Sequence, residues 1–227
     1  MNVPDPVDED MPEWKRQSVE RSLHTARARA RERSDRFVAA AIALMGERGS
    51  IEFTVQDVVD RSRMSIRTFY NFFASKDDLL VAVHETVLAR EVTERLRRRC
   101  ATEADPVRRV GTYIEGMYEL TAQPTPISRL LTIYRNRLAE TRPAAVEQAF
   151  RPQIDLVVEL VRDAAVAQGP PGPLDPDVAA HLLHHTVLAA VHARVLAADP
   201  AAGATAEELW AFCASGMGVQ AAAEEPG

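Results

Sequence analysis

The sequence predicts an all-α fold in two parts, a small N-terminal three-helix unit followed by a larger helical bundle. Apolar residues recur at the helical spacings i, i+3 and i+4 through most of the 227 residues. No segment sustains the apolar and polar alternation that is typical of a strand. Prolines and glycines divide the second half into blocks of helical length. A hydrophobic content of 46% is enough for a buried core.

Residues 1–33 are expected to form a flexible or helical basic arm. The first 12 residues are acidic and contain proline, which is typical of disorder. From Lys15 to Arg33 there are seven basic and two acidic residues, a net charge of +5 in a chain of formal net charge −6. Such a segment can enter a DNA minor groove or follow phosphates, although a solvated helical extension or tail is the alternative. The expected DNA contacts are Arg29, Arg31 and Arg33.

The first core helix is predicted over residues 36–48, with Gly49 as its stop. Two short helices are predicted over residues 54–73. Thr54 can cap the first of them, and Ser65 can cap the second. The apolar residues that recur on one face of each helix are Phe37, Ala40, Ala41, Leu44 and Met45, then Val55, Val58 and Val59, then Phe69 and Phe73.

The outer face of the third helix carries side chains that can donate to phosphates or base edges, as a helix that enters a major groove requires. Ile66 adds an apolar group there, which can touch a thymine methyl. The polar residues of this face are Arg67, Thr68, Tyr70 and Asn71.

This segment resembles the tetracycline-repressor-like (TetR/AcrR) family of bacterial transcriptional regulators. The resemblance rests on Thr54, on the turn at residues 62–65, on residues 68–73 and on Ser75-Lys76, and it is close from residue 34 to residue 83. It implies a helix-turn-helix DNA-binding domain over residues 34–85 and a ligand-binding and dimerisation domain over residues 86–227. By this resemblance, Arg67 and Asn71 lie nearest the bases. The residues implied to hold the phosphate backbone are Thr54, Ser65, Thr68, Tyr70 and Lys76.

The segment departs from the family pattern at two positions. Arg63 stands where the family often has glycine, and Phe72 replaces the usual histidine. If residue 63 is left-handed, a non-glycine side chain costs about 1 to 2 kcal/mol. A reshaped turn is the alternative.

A longer helix is predicted to begin at Lys76 and to link the two domains. Beyond it, the helical blocks suggest a bundle in which a cleft for a lipophilic or amphipathic small molecule can open. Core packing is the alternative role for each candidate side chain of such a cleft. These candidates are Tyr113, Met117, Tyr118, Tyr134, Phe150 and His184.

Two further blocks are typical of association. A 4-3-4-3 spacing lays His181, His185, Leu188, His192 and Val195 along one seam. A second face contains Leu209, Phe212 and Gly216, where glycine permits close approach. By resemblance, these two helices form the interface of a homodimer, and a two-fold dimer requires a palindromic operator.

Metal binding and catalysis are not expected. His181 and His185 have the i, i+4 spacing at which two imidazoles can share a cation, but no third ligand and no HExxH motif is evident. There is no Walker-type glycine loop and no GxSxG motif, and Cys100 and Cys213 lack a CxxC spacing. We expect no catalytic residues, no cofactor and free thiols.

These observations predict a sequence-specific DNA-binding regulator, a homodimeric repressor that a small effector releases from a palindromic double-stranded operator. No apolar run reaches the roughly 18 residues of a membrane span, and the acidic start is unlike a signal peptide. We therefore expect a cytoplasmic protein without a membrane partner. The alternatives are a helical adaptor that binds protein and a metal-dependent enzyme that uses the helix of His181 and His185.

Overall fold

The computed structural model describes residues 12–121, 125–169, 174–197 and 203–218, with only the backbone at residues 88–90. Every regular element in these ranges is helical, and none of the helices is long and apolar enough to cross a bilayer. The predicted acidic start and the breaks at Pro124, Pro170–Pro173 and Pro200 lie outside the described residues. The helices are α1 Glu13–Arg48, α2 Val55–Ser62, α3 Ile66–Tyr70, α4 Lys76–His84, α5 Glu91–Cys100, α6 Pro106–Thr121, α7 Pro126–Thr141, α8 Pro143–Gln168, α9 Pro176–Leu196 and α10 Ala206–Met217.

The basic arm and the first core helix are one continuous helix, α1. No proline interrupts the chain between Glu13 and Arg48, and the alternating Arg and Ala residues favour a helix. Residues 13–33 project from the body as about 30 Å of almost wholly exposed helix. The helix ends as predicted at Gly49, whose φ of 60° is left-handed and whose N–H donates to the Met45 carbonyl at 2.9 Å.

Helices α1 to α4 pack around a small aromatic core. Phe37 of α1 meets the edges of Phe69 and Phe73 with ring centroids 5.4 and 6.2 Å apart. All three rings are buried, as are Val58 and Val59 of α2. The inward faces predicted for these helices are therefore confirmed.

A continuous helix links the two domains, because a π-helical turn over Glu85–Arg90 joins α4 to α5. The remaining core lies among α5, α6, α8, α9 and α10. Helices α5 and α6 lie close together at Gly116, where a Cβ would stand 2.7 Å from Cδ2 of Leu96. A larger residue at this position would therefore require the Leu96 side chain to shift.

Helix α7 belongs to both domains. Its residues Leu131, Tyr134 and Leu138 complete the core of α1 to α4. Tyr134 also donates a hydrogen bond to Asp77 Oδ1 at 2.8 Å, and Arg142 pairs with Asp78 at 3.3 Å. These contacts attach the second domain to the start of α4.

Candidate DNA-binding surface and ligand cleft

Hydrogen bonds from side chains fix the start of both short helices. Thr54 Oγ1 accepts from Asp57 N at 3.1 Å, and the Asp57 carboxylate accepts from Thr54 N at 2.6 Å. Arg48 pairs with Asp57 at 2.8 Å, and together with the Thr54 bonds it holds the pKa of that carboxyl well below its usual range. Ser65 Oγ accepts from Thr68 N at 3.0 Å. Both predicted caps are confirmed, and they set the position of α3.

The outer face of α3 is free. Ile66 and Tyr70 are 47% and 55% exposed, and Arg67 and Asn71 are also exposed. Among the described residues, no side chain bonds to Arg67, Tyr70 or Asn71. Phe69 on the opposite face anchors the helix at full burial. A short, capped helix therefore presents most of its predicted reading face to solvent. The exception is Thr68, which is half-buried and whose hydroxyl shares a hydrogen bond with Ser65 Oγ at 2.8 Å.

The turn between α2 and α3 keeps the left-handed residue. Arg63 has φ 56° and ψ 39°, and it is the sole non-glycine residue with positive φ in the described ranges. Its N–H donates to the Asp60 carbonyl, and the Met64 N–H donates to the Val59 carbonyl, both at 3.3 Å. The turn is not reshaped, so the chain tolerates the cost of a side chain at this position.

Lys76 is partly buried and bonds to the backbone of its own chain. Its Nζ donates to the carbonyls of Ile51 and Phe53 at 2.9 and 3.0 Å and lies 5.0 Å from the centroid of the Phe53 ring. The ammonium group thus binds two backbone carbonyls in the segment that precedes α2. Contact between Lys76 and a DNA phosphate stays a prediction. The hydrogen bonds of Lys76 give it a structural role as well.

The helical form of the arm changes what it can contact. A helix of about 10 to 12 Å diameter is too wide for the minor groove of about 6 Å, which leaves phosphate contact. Arg36 donates to the carbonyl of Ser62 at 2.9 Å, so its face of α1 is the one turned toward the helix-turn-helix. At 3.6 residues per turn, Arg29 and Arg33 share that face. Arg31 points nearly opposite, so the three predicted arginines do not act together.

The second domain contains an apolar cleft between α5, α6, α7, α8 and α9. Its enclosed volume is about 80 Å³, and it opens into a wider space that includes solvent. Met117 and Phe150 line it, as predicted from the sequence. The lining residues that sequence reasoning missed are Val92, Leu120, Ser128, Thr132, Gln153, Leu188, Val191, His192 and Val195.

The other predicted pocket residues are not in the wall of this cleft. Tyr113 lies behind it, where its hydroxyl accepts from Gln153 Nε2 at 3.1 Å, and burial raises its pKa. Tyr118 packs under Arg194, and Tyr134 faces the DNA-binding domain. His184 is buried beside Phe150, with ring centroids 6.4 Å apart.

A cluster of neutral histidines and one arginine borders the cleft. Burial, aided by the charge of Arg135, lowers the pKa of His84 and that of His192 to about 4. Burial and the neighbouring His185 lower the pKa of His184 to about 4 as well. The buried atoms His84 Nε2, His184 Nδ1 and Arg135 Nε have no hydrogen-bond partner in the described structure. Neither His84 nor Arg135 was predicted from the sequence, because neither belongs to a recognisable motif.

The predicted seam on α9 is divided. Leu188 and Val195 are buried within the subunit and His192 is partly covered, because α7 lies over this end of the helix. His181 and His185 remain exposed at the other end. The structure therefore does not bring the five seam residues together on one free face.

On α10, Leu209 is buried, Phe212 is 69% exposed and Gly216 faces open space. On α9, Val178 and Leu182 are also 50% and 55% exposed. These two residues were not predicted to take part in association. Apolar side chains on such a free face are typical of an interaction surface.

Metal binding has no geometric support in the described part of the chain, where no three His, Cys, Asp or Glu side chains cluster closely enough to hold an ion. Cys100 and Cys213 are both free and buried, and burial raises the pKa of each to about 11. These thiols are therefore core residues rather than nucleophiles at neutral pH.

A capped helix-turn-helix with an exposed recognition face, joined to a helical domain with an apolar cleft, is the architecture of a DNA-binding regulator of transcription. Residues 37–83 match the family described as bacterial regulatory proteins, tetR family. This match covers the DNA-binding domain, which therefore has the helix-turn-helix of that family. A comparison with curated protein sequences found no match.

Solved structures with the same fold cover both domains. FadR of Thermus thermophilus, bound to lauroyl-CoA, is 23% identical with a TM-score of 0.64, over 86% of this chain and 99% of that one. A tetR-family regulator of Pectobacterium atrosepticum is 21% identical with a TM-score of 0.62, over 85% and 93%. RolR bound to resorcinol is 20% identical with a TM-score of 0.62, over 86% and 92%.

Proposed function

We propose that the protein is a homodimeric repressor that binds a palindromic operator and is released from it by a small apolar or amphipathic effector. The observation that carries this proposal is the outer face of α3, where Arg67, Tyr70 and Asn71 are exposed and make no side-chain bond within the described structure. Free donors on a rigid helix are suited to base edges and phosphates.

The exposed apolar face of α9 and α10 supports dimerisation. Leu182 and Phe212 lie outside both cores, and a second copy related by a two-fold axis would cover them. The paired α3 helices would then meet half-sites about one helical turn, or 34 to 36 Å, apart. Phe212→Glu should give a monomer of unchanged helicity in analytical ultracentrifugation and should abolish cooperative operator binding. A dimer that persists in both Phe212→Glu and Leu182→Glu would place the interface elsewhere.

The cleft supports an effector. Similar folds have been solved with lauroyl-CoA and with resorcinol bound. The linker helix contacts the cleft region on both sides of its π-helical turn, through His84 against Phe150 and through Val92 in the wall. Such turns occur often at functional sites.

Helix α7 gives a second route from the cleft to the DNA. Ser128 and Thr132 line the cleft, while Leu131 and Tyr134 lie in the core of the DNA-binding domain. An effector that moves α7 would thus move α4 and the recognition helix. Release requires different affinities for the two states: a 100-fold preference for the released state weakens operator binding by about 2.7 kcal/mol.

The decisive experiment is selection of bound sequences from a random duplex pool at near-physiological salt. A palindrome is expected. Arg67→Ala should then cost about 1 to 3 kcal/mol on the selected site if Arg67 pairs with guanine, and less on random DNA. If retention is independent of sequence, or if Arg67→Ala weakens specific and random DNA equally, Arg67 does not read bases and a protein partner becomes the better hypothesis.

The arm offers a matched comparison on the same operator. Arg29→Ala and Arg33→Ala should each weaken binding and reduce the salt slope by about 1, because each removes a phosphate contact. Arg31→Ala on the opposite face should change neither. Equal effects of all three substitutions would mean that the charge of the arm acts without a defined orientation.

A further inference from the structure

The guanidinium of Arg135 lies at the edge of the cleft. Its Nη2 donates to Nδ1 of His192 at 2.8 Å, and its Cζ lies 5.8 Å from the centroid of the Phe150 ring. Both partners line the cleft. Arg135 also stands one helical turn after Thr132, a third lining residue, so it extends the same face of α7.

This cation has no counter-charge. In the part of the chain that the structure describes, no carboxylate pairs with Arg135, although it is largely removed from water. Its other hydrogen bond goes to the neutral amide oxygen of Asn136 at 3.5 Å, and its buried Nε–H has no acceptor. Buried arginines are normally paired, so a charge left in this way needs an explanation.

The bond to His192 fixes the proton on that ring. A guanidinium cannot accept a hydrogen bond, so Nδ1 of His192 is the acceptor and the ring proton is on Nε2. His192 therefore offers a second N–H beside Arg135, and no acceptor for it lies among the described residues. The two side chains together present donors and one full positive charge, with no negative group to meet them.

The rest of the cleft is mostly apolar, although Ser128, Thr132 and Gln153 also line it. Val92, Leu120, Leu188, Val191 and Val195 form most of its wall. The hydroxyl of Thr132 is already used, because it donates to the Ser128 carbonyl at 2.8 Å. A ligand that fills this space needs an apolar body, and its one strong polar contact lies at the Arg135 end.

We propose that the cleft binds an anionic amphiphile, whose carboxylate or phosphate head is held by Arg135 and His192 and whose apolar chain lies along the wall beyond Phe150. The inference rests on the cleft being the effector site proposed above. A head group of this kind satisfies the unpaired guanidinium and accepts from both N–H groups. Charge-assisted bonds to arginine are among the stronger ones available to a protein.

Head-group specificity tests this with the full-length protein and no DNA. Isothermal titration with decanoate, decyl phosphate, decanol and decyltrimethylammonium keeps the chain length fixed while the head changes. One or both anions should bind at least tenfold more tightly than decanol, and the cation should not bind; the better anion identifies the head. Equal affinity for decanoate, decyl phosphate and decanol would overturn the proposal.

Variants locate the contact. Arg135→Met should weaken the preferred anion at least tenfold and leave decanol unchanged, while Arg135→Lys should retain part of the preference. Arg137→Met is the matched control, since Arg137 is exposed on the same helix and stacks on Tyr134 outside the cleft. Loss of anion and alcohol alike in Arg135→Met, with its melting temperature unchanged, would contradict the assignment of the head group.

Failure of the anionic-ligand proposal can be distinguished from failure of the proposed repressor function. Anion binding that leaves the selected operator bound would support the ligand class and refute its role as an inducer. Operator release by decanol as effectively as by decanoate would support the effector role and refute the anionic head.

Discussion

The two domains differ in how completely they satisfy their buried polar groups. In residues 12–83, every described buried side-chain polar atom has a partner, whereas the unpartnered ones lie on His84, at the very end of α4 and of the DNA-binding domain, and on residues of the second domain. Three of these atoms, on His84, Arg135 and His184, border the cleft. The difference indicates that the core of the DNA-binding unit is closed by its own contacts, whereas the second domain keeps buried polar atoms that lack a partner within the described structure.

Removing one phenyl ring from each region should give the largest difference in the loss of folding stability. Phe69→Ala should destabilise the DNA-binding unit by about 3 to 5 kcal/mol, because the ring is wholly buried against Phe37 and Phe73. Phe150→Ala should cost about 1 to 2 kcal/mol, because one side of that ring already faces the cleft. Urea unfolding followed by circular dichroism measures both. Equal costs would mean that the cleft is as tightly packed as the aromatic core.

Acid should weaken the second domain first. His84 and His184 have a pKa of about 4 in the folded chain and 6.5 when unfolded, so the unfolded state binds more protons between these values. Their contribution is complete above pH 6.5 and is lost as pH falls toward 4, at about 1 kcal/mol per pH unit for each histidine. Urea unfolding at pH 7.5 and pH 5 measures the loss.

A double variant controls this titration. His84→Leu with His184→Leu should flatten the stability profile between pH 6.5 and 4. The capping carboxylate of Asp57 adds no slope in this window, because its pKa is depressed in the folded chain: its stabilisation is complete above about pH 3.8 and is lost only as pH falls below that value. A slope that persists in the double variant would assign the acid sensitivity to other groups.

Lys76 tests whether the DNA-binding unit is as self-contained as its satisfied polar groups suggest. Lys76→Met should lower the free energy of unfolding by about 1 to 3 kcal/mol, because the carbonyls of Ile51 and Phe53 lose a charged donor. Thermal melts without DNA detect this, and Lys76→Arg is the control that retains a donor. If Lys76→Met is fully stable but binds all DNA weakly, phosphate contact is its main role.

The smallest expected effect has the opposite sign. Arg63→Gly should stabilise the DNA-binding unit by about 0.5 to 1 kcal/mol, because it removes the left-handed strain, less the entropy that glycine loses on folding. Arg63→Ala keeps the strain and serves as the control. A melting temperature that is equal in all three proteins would show that the turn relaxes around the side chain.

The sequence predicted the DNA-binding unit well because its determinants are local. Caps such as Thr54 and Ser65, the stop at Gly49 and the inward Phe69 depend on residues within one helical turn or two. The arm was less predictable: a helical arm was foreseen as one option, but not its continuity with α1, because nothing in the sequence marks a boundary.

The second domain was predicted only as a helical bundle. Periodicity tells which residues share a face, but not what that face meets. Leu188 and Val195 were therefore assigned to a partner subunit, although they lie against the same chain's cleft. Tyr134 was assigned to a ligand, although it bonds to Asp77, 57 positions earlier in the sequence. Only the packing of distant helices brings Arg135, His84 and His192 together.

Helix α7 contacts both the cleft and the DNA-binding core, and this has a consequence for building biosensors from this protein. A library confined to Ser128 and Thr132 should alter which compounds are detected, because these side chains meet the cleft. Changes at Leu131, Tyr134 or Leu138 should instead yield reporters that are always on or always off, because these residues meet the DNA-binding core. Ligand selectivity and signal gain can thus be evolved separately on alternating faces of one helix.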